Sequence, residues 1–201
     1  FFKNYSGVFL FRFLLDECPP WNNLILPDSA VLLLYSGRDP YLGVKARFDG
    51  TSVRLHGSGC SLYEQSGYGR PENGELRLSP EEACYLLHRN RIEVEGFDFD
   101  SLLAYYAGIE GFLRSFLVYR DLRERGYAVQ TGPHDFRVFK RGQRPGTGQS
   151  QYMVRVLSER DLVVFETLVH ETSASARMRK QHILAIVDDE SELTYYEIKV
   201  H

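Results

Sequence analysis

The sequence is poor in the residues that build small disulfide-rich or metal-bound scaffolds. Three cysteines, Cys18, Cys60 and Cys84, are scattered through 201 residues with no C-x-x-C spacing. An odd, sparse set forms neither a disulfide framework nor a thiolate zinc site, so no metal or cofactor is expected. A reducing cytoplasmic setting follows from the same scarcity. Long apolar runs are also missing, because charges interrupt every stretch well short of the ~20 residues that a membrane-spanning helix needs. Residues 7–15 are broken by Arg12 and lack a small-residue cleavage pattern, so they do not read as a signal peptide. Nor does one charge dominate: 24 Lys and Arg stand against 27 Asp and Glu, a net charge of −3. Any nucleic-acid footprint must therefore be local. The sequence opens on Phe1 rather than methionine, which points to further residues upstream.

What is present is an ordinary globular balance, 43% hydrophobic and 25% charged. It excludes a disordered tail, a collagen-like fibre and a low-complexity linker. At roughly 100–200 residues per domain, the length allows one large domain or two small ones. The first half reads as strands and turns. Residues 31–35 are an apolar run expected as a buried strand, and residues 44–48 and 52–56 flank Asp49-Gly50-Thr51 as a hairpin. Residues 57–74, rich in glycine and polar side chains, predict a loop, and 76–78 a strand. Ser79-Pro80-Glu81-Glu82 then offers a hydroxyl cap, a proline at the first helical position and a glutamate that can reach back to the cap. Ala83, Leu86 and Leu87 share one face of the helix this predicts, as far as Arg89. Residues 94–101 interrupt the periodicity, and the domain boundary is placed there.

The second half begins with a longer helix. Phe112, Phe116 and Tyr119, with Leu113 and Leu117, recur at helical spacing, and Gly126 follows Arg123 and Arg125 as a stop signal. Residues 127–131, 136–141 and 152–157 read as strands, with 142–150 as a glycine- and glutamine-rich loop. A helix is expected over 162–179, a buried strand over 183–187, an acidic turn over 188–192 and a last strand over 193–200.

Several ordered fragments in this half resemble one family. They are Tyr119-Arg120-Asp121-Leu122-Arg123, Gly126-Tyr127, Asp135-Phe136-Arg137-Val138-Phe139, Tyr152-Met153-Val154, Arg179-Lys180, residues 183–189 and Leu193-Thr194-Tyr195-Tyr196-Glu197. In the first half, Gly69, Gly74-Glu75-Leu76, Leu78-Ser79 and Glu82-Ala83 with Tyr85-Leu86 fit the same family. Their order and spacing resemble the archaeal tRNA-splicing endonucleases, also called tRNA-intron endonucleases, over about residues 55–201. The expected fold is α+β: a small N-terminal mixed domain over 1–97, and a C-terminal domain over 98–201 with a mixed sheet flanked by helices. The second is related to the restriction-endonuclease-like topology.

The resemblance implies metal-independent cleavage of precursor tRNA at a bulge–helix–bulge. A 2′-hydroxyl attacks the adjacent phosphate and leaves a 2′,3′-cyclic phosphate and a 5′-hydroxyl. Such chemistry requires a base, an acid and a cation beside the phosphate, which the family supplies as tyrosine, histidine and lysine. Here the tyrosine position holds Phe139, the histidine position holds Gln149, and the lysine is kept as Lys180. Phenylalanine carries no hydroxyl, and glutamine no proton that titrates near neutrality. A family arginine that clamps a bulge base falls near Ser173. The pattern resembles a non-catalytic, structural subunit that pairs with a catalytic endonuclease subunit, two plus two, on precursor tRNA.

Other features carry a functional and an ordinary reading side by side. Residues 137–182 hold nine Lys and Arg against four Asp and Glu, and Arg177, Arg179 and Lys180 could contact RNA phosphates or simply end a helix. Asp188, Asp189, Glu190 and Glu192 could dock into a basic cleft of a partner or form an exposed turn. Leu193, Tyr195, Glu197 and Ile198 lie on a final strand that could pair with a partner or stand as an ordinary edge. His134, His170 and His182 suit no standard metal site and are expected as surface or satisfied structural histidines, and Tyr152 as packing. Glu197-Ile198-Lys199, with Asp188 and Asp189 upstream, imitates a magnesium-nuclease motif of a kind common by chance in charged strands. An active variant with displaced residues and a stand-alone RNA-binding module are the alternatives.

Overall fold

In the computed structural model of the chain, the described residues are 8–12, 43–132 and 135–200, with only the backbone described for 8–12, Ser58 and Val200. The strand expected over 31–35 lies outside them, as does His134. The first sheet begins with the expected hairpin, β2 (Val44–Phe48) and β3 (Val53–Leu55). Asp49 closes it: its Oδ1 accepts hydrogen bonds from the Thr51 and Ser52 amides at 2.9 and 2.7 Å, and its Oδ2 from Arg54 Nε at 2.7 Å. β4 (Arg70–Glu72) and β5 (Glu75–Leu78) continue antiparallel, and β6 (Ile92–Val94) returns parallel to β2, giving the order β4-β5-β3-β2-β6. Val53 and Leu55 are buried while Arg54 between them is not, the period-2 alternation of a half-covered strand.

Residues 57–74 are more ordered than their composition predicts. They hold a 3-10 turn (Gly57–Cys60), a short helix α1 (Ser61–Ser66) and β4. The reason is tertiary: Leu62 is completely buried in the core, and one such anchor outweighs weak local propensity. Gly67, at φ +68, ends the helix, its amide donating to Tyr63 O.

α2 (Pro80–His88) starts as the sequence predicts. Ser79 Oγ accepts from the Glu82 amide at 3.3 Å, and Glu82 Oε2 accepts from the Ser79 amide at 2.9 Å. The stretch 94–101 hides a second capping box. Asp98 Oδ1 accepts from the Ser101 amide at 2.8 Å and opens α3 (Phe99–Ala107). The Phe48 ring meets Phe97, Tyr105 and Tyr106 at centroid distances of 5.1, 5.0 and 6.0 Å, which pins α3 to the first sheet.

α4 (Phe112–Glu124) buries Phe112, Phe116, Tyr119 and Leu122 and leaves Leu113 exposed. The second sheet follows: β7 (Val129–Thr131), β8 (Phe136–Phe139), β9 (Ser150–Ser158), then α5 (Phe165–Arg177), β10 (Gln181–Val187) and β11 (Leu193–Val200). β9 and β10 are parallel, joined across α5, and the other pairs are antiparallel. Ile183, Ala185 and Val187 join α4 and the first sheet in one continuous core. On the other face Leu157, Leu184 and Ile198 pack with Val163, Leu168 and Tyr196 beneath α5.

One expectation about the sheet is corrected. The last strand was expected at an open edge, but β11 is interior. β1 (Val8–Arg12) pairs antiparallel along it, from Val8 opposite Val200 to Arg12 opposite Tyr196. The order is therefore β1-β11-β10-β9-β8-β7. Sequence pattern does not reveal a contact between segments so far apart in the chain.

Candidate functional site

Topology gathers the three positions expected to carry chemistry. β8 runs antiparallel to β9, and β9 parallel to β10. The end of β8, the start of β9 and the start of β10 therefore share one end of the sheet. Phe139 lies opposite Ser150, after an irregularity that follows Val138. The Phe139 ring is buried, and Gln149 is exposed on the loop just before Ser150. Lys180 is half-buried, and its Nζ donates to Ser150 Oγ at 2.6 Å. Burial, and then the nearby positive charge of Arg137, hold the Lys180 ammonium below its ordinary pKa. Arg137 is held in place by Gly132, where a Cβ would come within 2.8 Å of its Nε.

The C-terminus of α5 reaches the same end. Its last carbonyls are closed by the Met178, Arg179 and Lys180 amides, which bond Ala174 O, Ala176 O and Ser175 O at 3.2, 2.9 and 2.9 Å. Arg179 takes the left-handed conformation at φ +57, where glycine is usual, and projects with Arg177 into solvent. Ser173, Thr172 and Lys180 line a cleft of about 440 Å³ with Lys199. This end of the sheet offers fixed cations and hydroxyls for a phosphate, and at the two substituted positions it offers neither a phenol nor an imidazole. His182 is buried behind it with Nδ1 2.8 Å from Thr172 Oγ1, and His170 is exposed on α5. Tyr152 is half-buried, its ring edge-on to Tyr127 at 6.4 Å.

The acidic residues occupy the opposite end. β10 has seven residues, so at 3.3 Å per residue the two ends lie about 20 Å apart. Asp188 Oδ1 accepts from the Glu192 amide at 2.8 Å, and Ser191 turns the chain at φ +66. Asp189 is ion-paired with Arg160 on the turn after β9. Glu190 and Glu192 are exposed.

The side chains of β11 point largely into the chain itself. Leu193 is half-buried against the core. Tyr195 is buried, and its hydroxyl donates to Asp121 Oδ2 at 2.7 Å, an oxygen that also accepts from Arg125 Nε at 2.8 Å. Burial and the Asp121 charge push the Tyr195 phenol well above its ordinary range. Glu197 is buried, accepts from Gln181 Nε2 at 2.7 Å and pairs with Lys199 Nζ at 3.2 Å, and Ile198 lies beneath α5. Glu197 sits opposite Ile183, whereas Asp188 lies beyond the far end of β10. The carboxylates of the apparent magnesium motif therefore do not converge. Cys84 is buried, its thiol pushed up to about 12 by desolvation, and Cys60 is free.

Sequence reasoning missed Ser150, Arg137 and Arg160. Ser150 is adjacent to the expected Gln149, but its pairing with Lys180 needs the parallel β9–β10 register. Arg160 is the basic residue of the turn after β9, and only the parallel pairing brings that turn beside the acidic loop.

Two family models match the chain. That for the tRNA intron endonuclease N-terminal domain covers residues 44–103, and that for the tRNA intron endonuclease catalytic C-terminal domain covers 112–195. A tRNA-splicing endonuclease of Methanococcoides burtonii is 41% identical over 143 residues, covering 69% of this chain and 41% of its own length. One from Methanosarcina mazei is 42% identical over 149 residues, covering 70% and 41%. One from Methanothermobacter thermautotrophicus is 38% identical over 153 residues, covering 71% of this chain and 84% of its own length. The match thus spans about two fifths of the first two relatives and most of the third.

Proposed function

This chain belongs to the tRNA intron endonuclease family, and we propose that within it the chain is a structural, non-catalytic subunit of a heteromeric tRNA-splicing endonuclease. The observation that carries the reading is the pair Phe139 and Gln149. They stand where transfer of a proton from the 2′-hydroxyl and to the leaving 5′-oxygen would need titratable groups. Lys180, oriented by Ser150, keeps a cation at the same place. Its role, with Arg177 and Arg179, is to seat the phosphates of a bulge–helix–bulge precursor tRNA. The cuts themselves, to a 2′,3′-cyclic phosphate and a 5′-hydroxyl, are made by a catalytic partner of the same family, two copies of each chain forming the assembly.

The contribution of this chain is position. Holding two catalytic centres at the spacing of two cleavage sites is an entropic contribution to catalysis that needs no chemistry from the chain that provides it. The acidic loop, Asp188 to Glu192, docks the catalytic partner by charge. Because Tyr195, Glu197 and Ile198 are buried and β1 covers the strand that bears them, contact between sheets runs through β1 and the backbone around it. The division near residue 97 into two units belongs to the same reading. Among the described residues no helix is long and apolar enough to cross a membrane, and the cytoplasm is the proposed setting.

The test is cleavage of a bulge–helix–bulge RNA in EDTA, by this chain alone and with a catalytic partner bearing the intact tyrosine, histidine and lysine. Cutting only in the mixture is the expected result. Cutting by the chain alone overturns the reading and favours an active variant with displaced residues.

A further inference from the structure

The turn that carries the chain from β9 into α5 exposes an apolar strip. Leu162 is 100% exposed, Val164 64% and Phe165 48%, while Val163 between them turns in towards Leu157, Leu184 and Ile198. The strip is held in place rather than loose. The Ser158 amide donates to Asp161 Oδ2 at 2.8 Å, the Glu159 amide to Val187 O at 3.1 Å, and Arg114 Nη1 lies 3.6 Å from Asp161 Oδ1. Arg160, two residues before Leu162, is ion-paired with Asp189 and ties the strip to the acidic loop. Exposed apolar side chains that are fixed in place and bordered by charge are the usual composition of a protein-binding surface.

The chain also carries a surface of complementary chemistry. A cleft of about 230 Å³ lies between Ser66 of the first half and the turn after β8, lined by Arg123, Arg144, Tyr127 and Ala128, with no carboxylate among its lining residues. Arg141 adds a further cation over the Tyr127 ring at 5.3 Å. Residues 126–128 precede β7 and residues 142–144 follow β8, which places this cleft at the Lys180 end of the sheet. The acidic loop and the apolar strip occupy the other end, so within one chain the two surfaces cannot meet.

We propose that Leu162, Val164 and Phe165 form, with the acidic loop, one composite docking surface whose occupant is a second copy of this chain, received through its Arg144–Tyr127 cleft. The inference extends the docking role of the acidic loop proposed above by adding an apolar anchor. It concerns copies of this chain in the absence of RNA and of a catalytic partner. Carboxylates would steer the approach and set the salt dependence, and the apolar strip would set the lifetime of the contact.

The test is sedimentation velocity on the full chain, from low micromolar to its highest soluble concentration, at low and high salt. The wild type is expected to self-associate. Leu162→Glu with Phe165→Ala is expected to weaken association by roughly tenfold or more, since the burial of two large side chains is lost. Both positions are exposed, so the fold should survive, as circular dichroism would verify. Met178→Glu, about 20 Å away along α5 at 1.5 Å per residue, should leave association unchanged. Arg144→Glu should weaken association, and mixing that variant with a Glu190→Lys chain should restore it. A wild type that stays monomeric throughout sinks the proposal. So does an apolar-strip variant that associates as tightly as the wild type, or a charge-swapped pair that fails to recover. None of these outcomes bears on cleavage with a catalytic partner, so the structural-subunit reading is judged separately.

Discussion

Replacing Glu82 by glutamine tests how the two ends of the first unit are held together. Glu82 is buried on the first turn of α2, with Oε1 accepting from the Gly69 amide and Oε2 from the Ser79 amide, both at 2.9 Å. Gly69 must be glycine there: its φ is +70, and a Cβ would lie 2.8 Å from Arg77 O. Burial pushes the Glu82 carboxyl up to about 7 from 4.5, against the two amide hydrogen bonds and the positive charge of Arg123, which pull it down. Between those values the folded chain holds the proton and the unfolded chain has lost it. Stability from this group is therefore full below 4.5 and is lost as pH rises through 7. At about 1.36 kcal/mol per pKa unit, the loss across that window is ~3 kcal/mol. Glutamine has one acceptor and one donor end, so one of the two amides loses its partner, at a cost of about 1–3 kcal/mol at the acid end. Above pH 7 the variant buries no charge, and its deficit should shrink. Urea unfolding of both proteins at a series of pH values across the window measures the difference. Parallel stability profiles for parent and Glu82→Gln would refute the reasoning.

Four other outcomes are expected. Phe139→Tyr with Gln149→His should give the isolated chain EDTA-resistant cleavage of a bulge–helix–bulge RNA, each group being worth roughly 10²–10⁴-fold once aligned; an inert double variant would mean that this end of the sheet does not hold the substrate. Lys180→Ala should weaken RNA binding across sequences and lower the salt slope by about one unit in fluorescence anisotropy titrations, and an unchanged slope would remove Lys180 from the phosphate contacts. Tyr195→Phe deletes the hydroxyl bonded to Asp121 and should cost about 1 kcal/mol, a Tm drop of roughly 2–4 °C for a chain of this size. Leu10→Pro should speed amide hydrogen exchange in the half of β11 that faces β1, because proline removes a ladder donor and disfavours the strand; unaltered exchange there would contradict the β1–β11 pairing.

Much of the fold was readable because its signals are local. The capping box at Ser79 and Glu82 spans three residues, the Asp49 turn closes on amides two and three residues away, and α4 shows its buried face at helical spacing. Where reading failed, the local signal was either mixed or overruled. Gly57 to Gly74 looked like a loop because glycine and serine dominate it, yet burial of Leu62 organises a helix there. Asp98 and Ser101 form a capping box as good as the first, but it lies in a stretch without apolar periodicity and so passed as an interruption.

The same boundary runs through the candidate site. That Phe139 and Gln149 cannot exchange protons is a property of the side chains, and the sequence alone determines it. That Ser150 orients Lys180 and that Arg160 pairs with Asp189 depends on β9 and β10 running parallel. That β11 is covered depends on β1, a strand that begins nearly two hundred residues earlier. Side-chain chemistry and short-range hydrogen bonds are encoded where they occur. Sheet order and sheet ends arise from which distant segments meet, and only the tertiary structure decides that, because burial and backbone pairing are satisfied by the chain as a whole.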